Sequence, residues 1–265
     1  MNELYIKDTN EENKLIPSKI SLDDLVKIEG YSTKIQLAIM DLFCRYKKPK
    51  KILEIGTFHG RSSVLFSSYV NENEGVYWGI EPELTLAEIT ESNCKKVCPN
   101  GNVVIERNIS NYSDIQNSKS PWFDIVHIDG EHSFTAVFQD LNIVKKVILN
   151  DGLIILDDFL FDLYPQITQA VYKWLDENPN FILLAAGGHK GIICNKMHYK
   201  EYADIILDKE FITELKKYDT GYDNITITRT SPLMDCPTIG ISTNLDSINY
   251  YGNECGDGKI ERIGL

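Results

Sequence analysis

The stretch Lys51-Ile-Leu-Glu54-Ile-Gly56-Thr-Phe-His-Gly60 decides the fold that this chain is expected to adopt. Its first half is a short apolar run that suits a buried strand, and its two glycines permit a tight loop before a helical stretch from Ser62 to Tyr69. A strand, a glycine-containing loop and a helix form the opening unit of many doubly wound α/β sheets. In such sheets the loop lies against a small ligand.

Strands and helices alternate after this unit. The predicted strands are Val76–Ile80, Val103–Glu106, Phe123–Asp129 and Gly152–Asp157, and the predicted helices are Leu84–Val97, Phe134–Leu149 and Tyr164–Glu177. This rhythm predicts a parallel sheet with helices on both faces. Two further strands, Phe181–Ala186 and Gly191–Asn195, are too close in sequence for a crossover helix and should pair as an antiparallel hairpin. The expected fold is a Rossmann-like, seven-stranded, mostly parallel sheet.

The chain divides into three predicted parts. Residues 47–198 form the α/β core. Residues 1–46 form an N-terminal helical segment, with helix starts at Ser21 and Ser32, which would serve as a substrate lid or an oligomer contact. Residues 199–265 begin with a helix over Glu201–Tyr218 and continue as an irregular, β-prone tail to which the sequence assigns no role.

Composition excludes several classes of partner. The net charge is −12 and no stretch concentrates lysine or arginine, so a nucleic-acid partner is not expected. No apolar run reaches the length of a membrane span, and the first residues lack the pattern of a signal peptide. Six cysteines scattered through a long chain are typical of reduced thiols, so a cytoplasmic location is expected.

The loop spacing Glu54-x-Gly56-x-x-x-Gly60 indicates which ligand the loop would take. An acid two residues before the first glycine would repel a pyrophosphate but can pair with a cationic amino acid group, which favours S-adenosylmethionine (SAM) over a dinucleotide. The second strand ends at Glu81, where an acid commonly binds ribose hydroxyls. Taken alone, either glutamate could be an ordinary polar strand end.

Two other predicted strands end in carboxylates, at Asp129 and at Asp157-Asp158. Because the carboxyl ends of parallel strands lie at one edge of a sheet, these acids are expected near the loop. An all-oxygen set favours Mg²⁺ or Ca²⁺ over zinc. His132 follows Asp129 by three residues and could accept a proton from a hydroxyl group. Each residue also has a structural interpretation as a turn or a helix cap.

At these residues the chain resembles the class I SAM-dependent methyltransferases, over about Ile52 to Asn195. Phe58 replaces the middle glycine of the commonest loop, as in the catechol O-methyltransferase-like branch. The resemblance implies that the loop and the residues after it bind the cofactor. The methionine end would contact Glu54 and Gly56, with Ser62 bonding its carboxylate, and Thr57 and Gly60 would also belong to the cofactor site. The ribose would contact Glu81, and Asn108 or Ser110 would lie near the adenine.

The resemblance also concerns the acids. The chain looks similar to catechol O-methyltransferase-like enzymes and to metal-dependent methyltransferases of macrolide sugars. This similarity implies that Asp129 lies beside the cofactor and, with Asp157 and Asp158, binds a divalent cation, expected to be Mg²⁺. It leaves two candidates for the base, His132 and Glu131.

The expected activity is methylation of a hydroxyl group on a small molecule, with a sugar or nucleotide-sugar of a bacterial surface polysaccharide as the first choice. Two alternatives stay open: a tailoring enzyme similar to cephalosporin hydroxylase, and a non-catalytic cofactor-binding subunit. Aromatic residues near the expected cleft would form either its walls or core: Tyr31, Phe159, Phe161 and Tyr164. A homo-oligomer is also left open.

Overall fold

A computed structural model describes residues 15–71, 75–99, 102–117, 122–218, 226–229, 238–242 and 261–262. The predicted N-terminal and C-terminal parts therefore lie partly outside the described residues. Eight α-helices occur in the described residues: α1 (Leu22–Leu25), α2 (Lys34–Lys47), α3 (Arg61–Val70), α4 (Leu84–Val97), α5 (Phe134–Val147), α6 (Pro165–Glu177), α7 (Tyr199–Ile206) and α8 (Lys209–Lys216).

Ten strands of the described residues form one sheet in the order β10-β8-β9-β6-β7-β5-β4-β1-β2-β3. Their bounds are β1 (Lys51–Ile55), β2 (Val76–Ile80), β3 (Asn102–Glu106), β4 (Phe123–Ile128), β5 (Ile148–Leu156), β6 (Phe181–Gly187), β7 (Lys190–Asn195), β8 (Thr226–Arg229), β9 (Ile239–Ser242) and β10 (Glu261–Arg262). Strands β1 to β5 are parallel, and β7 runs antiparallel to both β5 and β6. The Rossmann-like α/β fold and its late antiparallel hairpin are confirmed.

Three short strands extend the sheet beyond the seven that the sequence predicts. Strand β9 pairs in parallel with β6, β8 pairs antiparallel with β9, and β10 pairs antiparallel with β8. The β-prone tail therefore covers the edge of β6, which would otherwise present unpaired backbone groups.

Two apolar cores cover the two faces of the sheet. One includes residues of α1, α2, α3, α7 and α8, and the other includes residues of α5 and α6. Among the helices of the described residues, none combines the length and the apolar character that a membrane span requires.

Several boundaries differ from those predicted. Helix α2 is capped by Thr33 rather than Ser32, in a reciprocal capping box with Gln36. The helix predicted over Glu201–Tyr218 is two helices, because the side chain of Asp208 accepts the N–H of Glu210 and starts α8. Strand β5 begins at Ile148, directly after α5, rather than at Gly152.

Candidate functional site

A cavity of about 890 Å³ opens at the carboxyl edge of the sheet. Loops that follow β1, β2, β3, β4 and β5 line it, together with residues 29–33 and His189 of the β6–β7 turn. Its size falls within the range of small-molecule sites. It lies where open parallel sheets bind ligands, at the carboxyl ends of strands on either side of β1.

The loop after β1 is held by its neighbours on both sides. The N–H of Gly56 donates to Ile80 O (2.9 Å), and Glu81 Oε2 accepts the N–H groups of Thr57 (3.1 Å) and Phe58 (2.9 Å). Gly56 has a φ of 82° and Phe58 a φ of 49°, both left-handed. The carboxylate of Glu81 therefore fixes the loop while it lines the cavity.

Most of the predicted cofactor residues line this cavity, and two do not. Those that line it are Gly56, Thr57, Ser62, Glu81, Asn108, Ser110 and Asp129. Gly60 instead forms the left-handed N-cap of α3. Glu54 is completely buried, where Ser63 Oγ (2.5 Å), Tyr77 Oη and His127 Nδ1 (2.8 Å) contact its carboxylate.

Glu54 is predicted to face the methionine end of the cofactor, and in the structure its side chain does not line the cavity. Side chains alternate between the two faces of a strand. The side chain of Glu54 contacts Ser63 of α3, which packs on one face, whereas the cofactor loop leaves β1 at its end. We therefore place Glu54 beneath the cavity as a support of its floor.

Ser110 and Asp140 form a polar pair at the end of the cavity near Asn108. Ser110 Oγ donates to Asp140 Oδ1, and the side chain of Asp140 is nearly inaccessible, at 3% exposure. Burial raises the pKa of Asp140 to about 6, although the hydrogen bond from Ser110 opposes this shift. Sequence reasoning missed Asp140, since an acid inside a helical stretch usually marks a solvated face.

Asp129, His132 and Asp158 also meet at the cavity. His132 Nε2 lies 3.7 Å from Asp129 Oδ1 and 3.5 Å from Asp158 Oδ2. The nearby Asp129 carboxylate raises the pKa of His132, and the negative charges of Asp158 and Asp157 act in the same direction. Burial, followed by the charge of Asp157, raises the pKa of Asp129 and also that of Asp158.

Asp157, one of the three predicted metal ligands, pairs with a lysine. Lys190 Nζ lies 2.5 Å from Asp157 Oδ2, and Lys190 is 1% exposed. Burial opposes ionisation of Asp157, but the charge of Lys190 and the hydrogen bonds from Lys190 and from the Asp158 N–H outweigh it and hold the pKa at about 2. Lys190 was not singled out from the sequence. Its only signal was its place in the short gap between the last two predicted strands, and the antiparallel pairing of β7 brings it beside β5.

The group at Asp129 fits a divalent cation. One ligand atom from each of Asp129, His132 and Asp158 lies within 4.8 Å of the others, and all three residues line the cavity. His127, Asp129 and Asp157 form a second group within the same distance, but Asp157 in that group is paired with Lys190. Two carboxylates and one imidazole form a mixed set that suits a transition-metal ion such as Mn²⁺ or Fe²⁺ better than an all-oxygen cage would. This set differs from the predicted one, Asp129, Asp157 and Asp158, by the exchange of Asp157 for His132.

Aromatic rings wall the cavity at two places. The Tyr31 ring stacks on Phe58 with centroids 5.9 Å apart, and the Phe161 ring stacks on His189 at 4.4 Å. Tyr164 contacts His132, with centroids 4.3 Å apart. Phe159 does not line the cavity and belongs to the buried core.

Residues 26–33, here called the lid segment, are tied to the start of α3 by Arg61. The Arg61 guanidinium donates to the carbonyl oxygens of Val26 (3.2 Å), Ile28 (2.8 Å from Nε) and Ser32 (2.8 Å). His59 Nε2 also lies 3.5 Å from a carboxylate oxygen of Glu29. These contacts hold the lid segment at the mouth of the cavity.

Comparisons with known proteins agree with this architecture. A family model described as a methyltransferase domain matches residues 53–159. A mimivirus protein, the uncharacterized protein R132 of Acanthamoeba polyphaga mimivirus, is 31% identical over 130 residues, which are 46% of this chain and 57% of that protein. The chain thus spans a little more than half the length of this relative.

Two solved structures share the fold at low identity. An O-methyltransferase from Bacillus cereus in complex with SAH is 18% identical with a TM-score of 0.52, covering 65% of this chain and 88% of that chain. The SAH-bound methyltransferase PaMTH1 of Podospora anserina is 17% identical with a TM-score of 0.51, covering 69% and 90%. These two structures share the fold of this chain, and the methyltransferase domain match lies within the same part of it.

Proposed function

We propose that this protein is a SAM-dependent O-methyltransferase that acts on a hydroxyl group of a small polar acceptor. One observation carries the proposal: a single cavity joins the loop held by Glu81 to the group of Asp129, His132 and Asp158. A methyl transfer needs a bound donor and a deprotonated, aligned nucleophile. The two ends of this cavity supply candidates for both.

The cofactor end uses residues that line the cavity. SAM would supply an electrophilic methyl group. Glu81 keeps one carboxylate oxygen on the loop N–H groups and can accept further hydrogen bonds from ribose hydroxyls. Ser62, at the start of α3, lies where a helix N-terminus attracts a carboxylate. Asn108 and Ser110, which follow β3, also line the cavity and are the candidates for contacts with the adenine.

Asp129, His132 and Asp158 would hold a divalent cation, which would lower the pKa of a coordinated hydroxyl group. In this arrangement His132 Nε2 lies between two carboxylates and is poorly placed to take a proton from the acceptor. Glu131, the other candidate base, lines the same cavity. We therefore assign the role of general base to Glu131 and that of metal ligand to His132.

The charges of the cavity constrain the acceptor. Seven acidic residues line it: Glu29, Glu81, Asp129, Glu131, Asp140, Asp157 and Asp158. Among the lining residues that the structure describes, Arg61 is the only lysine or arginine, and its guanidinium is engaged by backbone carbonyls. This balance favours an uncharged acceptor, such as a sugar hydroxyl, over a nucleotide-sugar with its phosphates.

Calorimetry and a transfer assay test the proposal. The purified protein is expected to bind SAM, and to transfer a labelled methyl group to members of a panel of neutral sugars and catechols, faster with Mn²⁺ than with EDTA. If the protein binds no SAM, either with Mn²⁺ or with EDTA, the proposal is wrong. Binding of SAM without transfer to any hydroxylated compound would favour a non-catalytic cofactor-binding subunit.

Two variants separate the roles of neighbouring residues. Glu131→Gln is expected to lower kcat about 100-fold, the usual effect of losing a general base, while the affinity for Mn²⁺ stays unchanged. His132→Asn is expected to weaken Mn²⁺ binding. The reverse outcome, with Mn²⁺ affinity intact in His132→Asn, would return the base role to His132.

A further inference from the structure

A row of buried polar side chains crosses the sheet beneath the cavity. Tyr77 of β2 donates to Glu54 of β1, whose other carboxylate oxygen lies 2.8 Å from Nδ1 of His127 on β4. His127 Nε2 lies 3.5 Å from Lys190 Nζ of β7, and Lys190 lies 2.5 Å from Asp157 at the end of β5. The row thus links five strands.

The chemistry of Lys190 fixes the pairing in this row. An ammonium group has only donors, so a hydrogen bond from Lys190 to His127 requires an unprotonated Nε2. His127 then carries its proton on Nδ1, and this N–H group donates a hydrogen bond to Glu54. The remaining hydrogen-bond partner of Lys190 among the described residues is Asp157, whose carboxylate balances the buried positive charge.

Asp157 in turn holds the backbone of its neighbour. Asp157 Oδ1 accepts the N–H of Asp158 (2.8 Å), and Asp158 has a left-handed φ of 52°. The next N–H, that of Phe159, donates to His189 O (3.0 Å) in the β6–β7 turn. His189 of that turn and the adjacent Lys190, the first residue of β7, therefore hold the segment that presents the Asp158 carboxylate to His132.

We propose that Lys190 is a positioning residue whose ammonium neutralises Asp157, so that Asp157 orients Asp158 and is not itself a metal ligand. The proposal rests on the proposed function only for its metal site, formed by Asp129, His132 and Asp158. Lys190 occupies one oxygen of Asp157 and the backbone of Asp158 occupies the other. The carboxylate thus has a structural task on both sides.

Four variants test this assignment by titration with Mn²⁺ and by thermal unfolding. Lys190→Met and Asp157→Asn each leave a buried charge without its partner, and each is expected to lower Tm by roughly 10 °C. Lys190→Met should also weaken Mn²⁺ binding about tenfold or more, the usual effect of substituting a residue that orients a metal ligand. Asp158→Asn should weaken it further, although asparagine tolerates the left-handed backbone.

The double variant Asp157→Asn/Lys190→Met distinguishes an orienting role of Asp157 from a role as metal ligand. The side-chain carbonyl of the introduced asparagine can still accept the N–H of Asp158 and no buried charge remains, so both Tm and Mn²⁺ affinity should recover toward the values of the unmodified protein. Recovery of Tm without recovery of Mn²⁺ affinity would make Asp157 a ligand and overturn the proposal. No recovery of Tm would show that the two charges are not coupled, which also overturns it.

The unmodified protein supplies the remaining control. If it binds no Mn²⁺, the three-residue metal site fails and the role proposed for Lys190 fails with it. Calorimetry with SAM on the same samples reports on the cofactor end separately. Loss of this inference is therefore distinguishable from failure of the proposed methyltransferase.

Discussion

Gly56, in the loop after β1, lies against Asp129, the residue that follows β4. A Cβ atom at this position would lie 2.0 Å from the carbonyl oxygen of Asp129, and the φ of 82° already disfavours a side chain. Gly56→Ala is therefore expected to lower the free energy of unfolding by at least about 3 kcal/mol, since a backbone clash adds to the strain. Thermal and urea unfolding measure this loss.

Gly130 provides a matched control because it lies directly after Asp129 on the same cavity. A Cβ atom there would meet Ile55 Cγ2 at 3.3 Å, which a small side-chain shift can accommodate. Gly130→Ala is expected to cost about 1 kcal/mol or less. Equal losses in the two variants would contradict the importance of the contact between Gly56 and Asp129.

Asp140 predicts a pH dependence of stability. Its pKa in the folded protein is about 6, above the ordinary 3.8, so the folded state binds more protons than the unfolded state between these values. Stability should therefore fall as pH rises from about 4 to 6, by up to about 3 kcal/mol from this group. In Asp140→Asn that decline should be absent, and the variant should be the more stable protein at pH 7.

Urea unfolding at a series of pH values measures this difference. Asp176→Asn, which removes a charge from an exposed position on α6, controls for the change in net charge. If Asp140→Asn and Asp176→Asn respond to pH alike, burial of Asp140 is not the cause. The Ser110–Asp140 pair would then have no part in the pH dependence.

Some residues of the site could be predicted from the sequence, whereas their contacts could not. Asp129, Asp158 and Glu81 were predictable because each follows a buried strand, and strand ends of a parallel sheet converge. The partner of Asp157 was not predictable, because Lys190 reaches it only through the antiparallel register of β7 against β5. Glu54 illustrates the converse: its position in the motif was recognised, but its burial depends on contacts from α3, β2 and β4.

At the scale of elements, Arg61 connects α3 to the lid segment. Lysine keeps the charge but lacks the planar, multi-donor group that serves three carbonyl oxygens at once. Arg61→Lys is expected to speed amide hydrogen exchange in residues 26–32 about tenfold or more, the effect of losing at least one or two hydrogen bonds to a charged donor. It should also weaken acceptor binding, since this segment lines the cavity.

Lys27→Ala is the matched control for this prediction. Lys27 carries the same charge within the lid segment, but its ammonium pairs with the exposed Asp24. Such surface pairs contribute little to stability. Similar exchange in the two variants would mean that the Arg61 guanidinium does not hold the lid segment.

Elements were predictable to the extent that their apolar pattern was long and their ends carried a signal. Strands β1 and β2 and helix α4 have the predicted bounds because apolar runs and polar flanks coincide there. The break between α7 and α8 was missed, since the apolar spacing continues across it and only the cap at Asp208 stops the helix. Strands β8 to β10 are two to four residues long, too short to carry a period.

At the scale of the molecule, the C-terminal strands complete the sheet at its β6 edge. Strand β9 pairs with β6 at Ala185 and Ala186, and the neighbouring Gly187 leaves no space for a side chain. A Cβ atom there would lie 1.9 Å from the carbonyl oxygen of Ile241. The tail that the sequence left without a role therefore covers an edge that would otherwise be open to a second chain.

Gly187→Val is expected to separate β9 from β6 while the rest of the sheet stays folded. The amides of Ile239 and Ile241 should lose protection from hydrogen exchange, and the exposed edge should promote self-association measurable by light scattering. Gly188→Ala, in the adjacent turn, is the control: it adds left-handed strain at a φ of 57° but meets only Ile39 Cδ1, at 3.2 Å. Because that strain is local to the turn, the amides of β9 should stay protected from hydrogen exchange in Gly188→Ala. If the amides of β9 lose their protection from hydrogen exchange in both variants, or in neither, the close contact of Gly187 with β9 is not what holds this strand on the sheet.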